Sequence, residues 1–289
     1  ERLLFMLSQC SPGGPRLLSQ PCRRLGAAVR EAAEAEWRAR LKRLDEQARL
    51  GDVAAAEESF FKFMRNGYWQ RQTVLYNLLL KACANGGDPE KAAAWYRRMR
   101  GERIRVNNKT FGKLIEASAK SGNAGVAGKW LKTLSTKFDV NHIEISAVID
   151  ACAKASQPDR AVTWFAKMQQ QNLRVDNVVY NSVIDAHARV GRTREAAEWF
   201  VKMGDADLSP DIVSYNIVLS ACARAGNKDE AAIWISKMQN ARLSPNIVSY
   251  TCMIDACAKK GFAAEAAGWL AQMRAACIRP NDLSYNSVV

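Results

Sequence analysis

Apolar residues recur along this chain in two alternating stripes, each at helical spacing. Between residues 177 and 211 the first stripe is Tyr180, Val183, Ile184, His187 and Val190. Steps of three and four put these on one face of an α-helix, and Gly191 follows as a stop signal. The second stripe is Ala196, Trp199, Phe200 and Met203. Leu208-Ser209-Pro210-Asp211 then breaks the helix and turns the chain. Elsewhere the start signals are clearer: Asp88-Pro89-Glu90 offers a cap, a proline at the first helical position and an acid in the first turn. The pattern predicts an antiparallel helical hairpin. Neither helix can bury its stripe alone, so neighbouring hairpins must stack.

The hairpin repeats. Trp95, Trp130, Trp164, Trp199, Trp234 and Trp269 are separated by 35, 34, 35, 35 and 35 residues. A fixed period of this length means one supersecondary unit copied end to end. Aligned on tryptophan, the units are 73–107, 108–141, 142–176, 177–211, 212–246 and 247–281, with a partial unit at 282–289. A degenerate capping unit spans 37–72, with Phe60 near the Trp position and Met64 near the Met position. The expected fold class is all-α, an α-solenoid of helix-turn-helix hairpins of about 35 residues. The tryptophans share a face with Ala and Met, which makes them packing residues rather than a ladder for stacking bases. Taken as a buried side chain, Trp199 is expected to cost about 3–5 kcal/mol when replaced by alanine.

Residues 1–36 read as a basic N-terminal arm. Residues 2–30 hold five arginines, three serines and no acid, a composition that fits a transit-like segment or a loosely ordered arm equally. The chain opens on Glu1 and stops at Val289 inside a unit's first helix, so it reads as a piece of a longer protein.

Bulk composition narrows the function. An apolar fraction of 48% excludes disorder throughout, and no apolar run approaches the roughly 18 residues of a membrane span. Net charge is +13, of which +11 falls within residues 37–141. That balance points to a polyanion, nucleic acid ahead of a membrane surface, although charge alone leaves a basic protein without such a partner open. Eight cysteines are present. Cys83, Cys152, Cys222 and Cys257 share one place in the unit, inside Ala-Cys-Ala, and read as small buried residues. With two histidines and no zinc spacing, no metal site or cofactor is expected. No nucleophile–base set or phosphate loop appears, so the segment is not expected to be an enzyme.

The other side of each first helix carries a second regularity. The residue after the tyrosine position is Asn77, Gly112, Ser146, Asn181, Asn216, Thr251 and Asn286. Four residues on stand Lys81, Glu116, Asp150, Asp185, Ser220 and Asp255, and four further Asn85, Lys120, Lys154, Arg189, Arg224 and Lys259. Steps of four keep all three on one side of the helix. A plain solvated face would favour Glu, Lys and Gln. Here the first place is confined to small polar residues or glycine, and the last repeats a cation. Short amides and hydroxyls suit base edges; Lys120, Lys154, Arg189, Arg224 and Lys259 suit phosphates.

Tyr215-Asn216, Gly226, Glu230-Ala231-Ala232, Met238 and Pro245-Asn246 together resemble pentatricopeptide repeat proteins, over about residues 73–289. Tetratricopeptide repeats, with a 34-residue beat and different Trp, Gly and Tyr placement, are the second match. The resemblance implies a right-handed superhelix that binds single-stranded RNA, one unit per nucleotide, protein N-terminus toward the RNA 5′ end. It implies that the residue after the tyrosine and the last residue of the unit choose the base together. Asn77 with Asn107, and Asn216 with Asn246, then look like pyrimidine readers. Ser146 with Asp176 looks like a guanine reader, Asn181 with Asp211 a uracil reader and Thr251 with Asn281 an adenine reader. Gly112 with Asn141, in a unit one residue short, leaves its base open. The implied target is 5′-Y-N-G-U-Y-A-3′, Y being a pyrimidine. Val74, Ile143, Val178, Val213 and Val248 take the place where the family wedges a side chain between bases, while unit 108–141 has Lys109 there. Family members act mostly in mitochondria or chloroplasts, in RNA stability, processing, editing or translation. The alternative is a scaffold subunit of an organellar complex, such as a ribosome, holding other proteins or structured RNA.

Overall fold

The computed structural model describes residues 20–65 and 72–287, with side chains from residue 35 onward except that of Leu283. Every described element is a helix. Residues 1–19 of the basic arm lie outside the described residues. Residues 20–36 belong to α1 (Gln20–Leu50), which runs unbroken into the degenerate hairpin completed by α2 (Val53–Arg65). The helix passes residue 36 without a break.

Six full hairpins follow: α3 (Gln72–Gly86) with α4 (Pro89–Gly101), α5 (Asn108–Lys120) with α6 (Ala124–Ser135), α7 (His142–Lys154) with α8 (Pro158–Gln170), α9 (Asn177–Arg189) with α10 (Thr193–Asp205), α11 (Ile212–Ala225) with α12 (Lys228–Asn240), and α13 (Ile247–Ala258) with α14 (Ala263–Ala275). α15 (Asp282–Asn286) opens the last unit. From α5 onward each first helix begins on the first residue of a tryptophan-aligned unit.

Each first helix packs on its own partner, on the second helix before it and on the first helices to either side. Among the described residues, second helices make no comparable contact with one another. The stack is therefore tighter along the first-helix row and curves with that row on the inside. The result is a right-handed α-solenoid.

The turn inside each hairpin needs one residue in the left-handed region. Glycine supplies it at Gly51, Gly87, Gly122, Gly191, Gly226 and Gly261; Ser156 takes the same place in the third full unit, at φ 54°. At Gly51 space also matters, because a Cβ there would stand 2.8 Å from the Gly86 backbone nitrogen.

The core is continuous, as a solenoid requires. At four junctions between units three aromatic rings meet. Phe60, Tyr76 and Trp95 have ring centroids 4.9 to 5.9 Å apart; Phe165, Tyr180 and Trp199 and Phe200, Tyr215 and Trp234 repeat the arrangement. Tyr96, Phe111 and Trp130 form a looser version. Trp95 and Trp234 are buried, but Trp130, Trp164, Trp199 and Trp269 are only half-buried. Cations cover part of the remainder: Lys167, Lys202 and Lys237 lie 4.2, 4.5 and 4.3 Å from the ring centroids of Trp164, Trp199 and Trp234. The four Ala-Cys-Ala cysteines are wholly buried. Burial pushes the Cys83 and Cys222 thiols up to about 12, so at neutral pH they pack as small apolar groups.

Candidate nucleic-acid interface

The last residue of each unit is also the N-cap of the next first helix. The side chains of Asn107, Asn141, Asp176, Asp211 and Asn246 accept backbone N–H bonds from the first turns of α5, α7, α9, α11 and α13. Asn281 accepts one from Ser284 at 2.9 Å. A backbone N–H must meet an oxygen, so Oδ1 faces the helix. What remains is an NH2 donor in asparagine or a second carboxylate oxygen in aspartate. The residue type at this place therefore fixes whether the unit offers a donor or an acceptor.

In three units this cap is tied to the residue after the tyrosine. Asn77 donates to Asn107 at 3.3 Å and Asn216 to Asn246 at 3.2 Å. The hydroxyls of Thr110 and Ser249, third residues of α5 and α13, donate to the Oδ1 atoms of Asn77 and Asn216 at 2.8 and 2.6 Å. Thr251 reaches Asn281 through Ser284, over steps of 3.0 and 2.8 Å. Thr251 is buried, and its hydroxyl also lies 2.7 Å from the Ile247 carbonyl, so that bond competes for its one proton with the step to Ser284. Among the described residues no direct bond joins Ser146 to Asp176, Asn181 to Asp211 or Gly112 to Asn141. Asn181 is half-buried with Oδ1 enclosed and unpartnered, whereas Asp211 is exposed.

Val74, Ile143, Val178, Val213 and Val248 form a row of open aliphatic side chains, with 43%, 63%, 61%, 55% and 46% of their surface in solvent. Nothing in the packing of a helix start calls for valine there, and the row runs beside the polar pairs. Lys109 stands in the same place in α5 and is exposed.

The cations are arranged differently from a free ladder. Lys154, Arg189 and Lys259 pair with Asp150, Asp185 and Asp255 one turn earlier, at 2.7, 2.6 and 2.8 Å. Lys120 lies 3.5 Å from Glu116 and donates to Asn85 at 2.7 Å. Burial pushes the Glu116 carboxyl up, but Lys113 and Lys120 outweigh it and hold it below the usual range. Arg224 has Ser220 one turn back and forms no ion pair among the described residues. Four of the five proposed phosphate ligands thus already carry a carboxylate, because acid and cation four apart on a helix find each other.

Some residues that shape this face drew no attention in the sequence. The capping role of Asn107 and its equivalents was signalled by their place just ahead of each apolar stripe. The bridging hydroxyls of Thr110, Ser249 and Ser284 sit three residues later, at capping-box spacing. Glu144 takes that place in α7 and is buried.

Profiles of the PPR repeat family match residues 175–224 and 210–259, the pentatricopeptide repeat domain matches 235–289, and the PPR repeat matches 74–104 and 146–173. Together they cover more than half of the chain. This chain belongs to the pentatricopeptide repeat family. Similar proteins include an Arabidopsis thaliana pentatricopeptide repeat-containing protein, 29% identical over 127 residues, 43% of this chain and 20% of that protein. The pentatricopeptide repeat protein PPR10 from maize, in complex with an 18-nt psaJ RNA element, superimposes with a TM-score of 0.76 at 22% identity, over 99% of this chain and 44% of PPR10. The PPR domain of Arabidopsis thaliana protein-only RNase P 1, in complex with tRNA, gives 0.51 at 13% identity, over 60% of this chain and 92% of that one. At these identities the structural likeness is one of fold. The chain spans a fifth of its Arabidopsis relative and less than half of PPR10. Among the described residues no helix is long and apolar enough to cross a membrane.

Proposed function

We propose that this pentatricopeptide repeat array binds single-stranded RNA along its first-helix face, one unit per nucleotide, and acts in organellar RNA metabolism. Its target reads 5′-Y-N-G-U-Y-A-3′, with the protein N-terminus toward the 5′ end. The observation that carries this reading is the row of open aliphatic side chains beside the polar pairs. Aliphatic groups left in water gain by lying against base faces, while the adjacent donor or acceptor meets the base edge. Aspartate suits the ring N–H of uracil or guanine; asparagine suits the ring nitrogen of cytosine or adenine. For the two Asn–Asn units the donor favours cytosine within Y. PPR10, which shares the fold, forms a complex with RNA.

Two measurements test the proposal. Selection from a random single-stranded RNA pool should enrich the motif. Asn181→Thr combined with Asp211→Asn should move the fourth position from U toward A. An unenriched pool, or a double variant that weakens all RNAs equally, counts against it. The near-neutral cation stripe favours a second reading, a groove that holds a protein chain; that reading requires a partner which RNA fails to displace.

A further inference from the structure

Unit 108–141 departs from its neighbours on the RNA-facing side at several connected points. Gly112 stands where the others have a polar side chain, Lys109 replaces the aliphatic residue, and α6 is one residue short. Glu144 enters the space so opened. It is 93% buried by residue, its relative exposure being 7%. Its Oε2 accepts the Asn141 backbone N–H at 3.0 Å, closing the capping box of α7. Its Oε1 accepts no hydrogen bond among the described residues. A Cβ on residue 112 would lie 3.9 Å from that oxygen, so any longer polar side chain there would compete for its place. Gly112, Glu144, Asn141, Lys109 and Lys113 share the wall of one groove pocket of about 910 Å³.

Two of the polar groups on this wall have fixed character. Asn141 Oδ1 accepts the Ile143 backbone N–H at 2.8 Å, which leaves its NH2 as a donor. Glu144 Oε1 is an acceptor and nothing else while the carboxyl is ionised. An acceptor beside a donor matches an exocyclic amine next to a bare ring nitrogen. Adenine and cytosine have that edge. Seated in the same orientation and register, uracil and guanine place a carbonyl against the carboxylate and a ring N–H against the amide, a repulsive match at both points.

We propose that Glu144 is a specificity-determining residue borrowed from the following unit, and that unit 108–141 selects an amino-bearing base, adenine or cytosine. This rests on the reading of the array as an RNA binder. The second position of the target becomes 5′-Y-(A/C)-G-U-Y-A-3′.

The test uses the 289-residue chain and four unstructured RNAs containing 5′-CNGUCA-3′, identical except at N. Adenine and cytosine should bind about tenfold more tightly than uracil and guanine, the discrimination worth one well-placed polar pair. Glu144→Gln keeps an oxygen for the Asn141 backbone N–H and turns an NH2 toward the pocket. It should collapse the preference to within about twofold, while the preference for U at the fourth position, and the helical circular dichroism, stay as they were. Glu144→Gln with Asn141→Asp reverses both groups and should favour guanine and uracil. Equal binding of the four RNAs, with the fourth position still selective, overturns the role of Glu144 and leaves the array reading intact. An adenine/cytosine preference that survives Glu144→Gln does the same. No measurable binding to any of the four overturns both.

Discussion

At the scale of single residues, His187 is the group least at ease in this fold. The other full units have Cys83, Ser118, Cys152, Cys222 and Cys257 in its place. The imidazole is larger, 5% exposed, and neither ring nitrogen has a hydrogen-bond partner among the described residues. Burial holds its pKa below 6.5, only partly opposed by Glu195. The unfolded chain therefore takes up a proton first as pH falls. The folded state keeps its full margin above about pH 6.5 and loses it as pH drops through that value toward the lower folded pKa. His187→Cys should raise stability by about 1–3 kcal/mol near neutral pH, the cost of leaving such groups unmet. The gap between variant and parent should widen between about pH 7.5 and pH 5. Melting curves at several pH values check this; a constant gap would assign the effect to size alone.

At the scale of the hairpin, the aromatic junctions decide what each tryptophan is worth. Trp234 is buried against Phe200 and Tyr215, and Trp234→Ala should cost about 3–5 kcal/mol. Trp269 is half-buried beside Tyr250 in the last full hairpin, and Trp269→Ala should cost roughly half as much. Denaturant unfolding of the two variants measures the difference, and equal losses would show that the junctions share the load evenly. Trp199 is half-buried under Lys202, so its removal falls toward about 2–3 kcal/mol, below the cost expected of a buried tryptophan. The period of the tryptophans was legible because it is a matter of spacing. Their unequal burial was not, because it depends on how far each hairpin rotates against the next and on which lysine folds back over the ring. The helices that start at Asn108, His142, Asn177, Ile212 and Ile247 each follow an asparagine or aspartate cap, a signal the sequence carries although only the Asp88 cap was read there.

At the scale of the whole molecule, charge on the first-helix face is a lattice of internal pairs, with Arg224 as its unpaired cation among the described residues on that stripe. The acids and cations were both visible in the sequence at four-residue steps. Read as separate rows they implied a free phosphate ladder; read as i, i+4 partners they imply near neutrality. The combined variant Asp150→Asn, Asp185→Asn and Asp255→Asn should release Lys154, Arg189 and Lys259. The log–log salt dependence of RNA binding should then steepen by about 2, at roughly 0.7 per phosphate met. An unchanged slope would place the RNA backbone elsewhere. The groove pairs were legible in part: Asn77 with Asn107 and Asn216 with Asn246 meet where the family resemblance put them side by side, whereas Glu144 acts across a unit boundary that no within-unit alignment could reveal. One consequence of the capping geometry reaches further. Because the final residue of every unit must also hold the next helix start, its choices are confined to the few side chains that do this well, and asparagine and aspartate are near-isosteric among them. On the proposed reading, exchanging asparagine and aspartate at these caps would respell the target one letter at a time with little change in melting temperature.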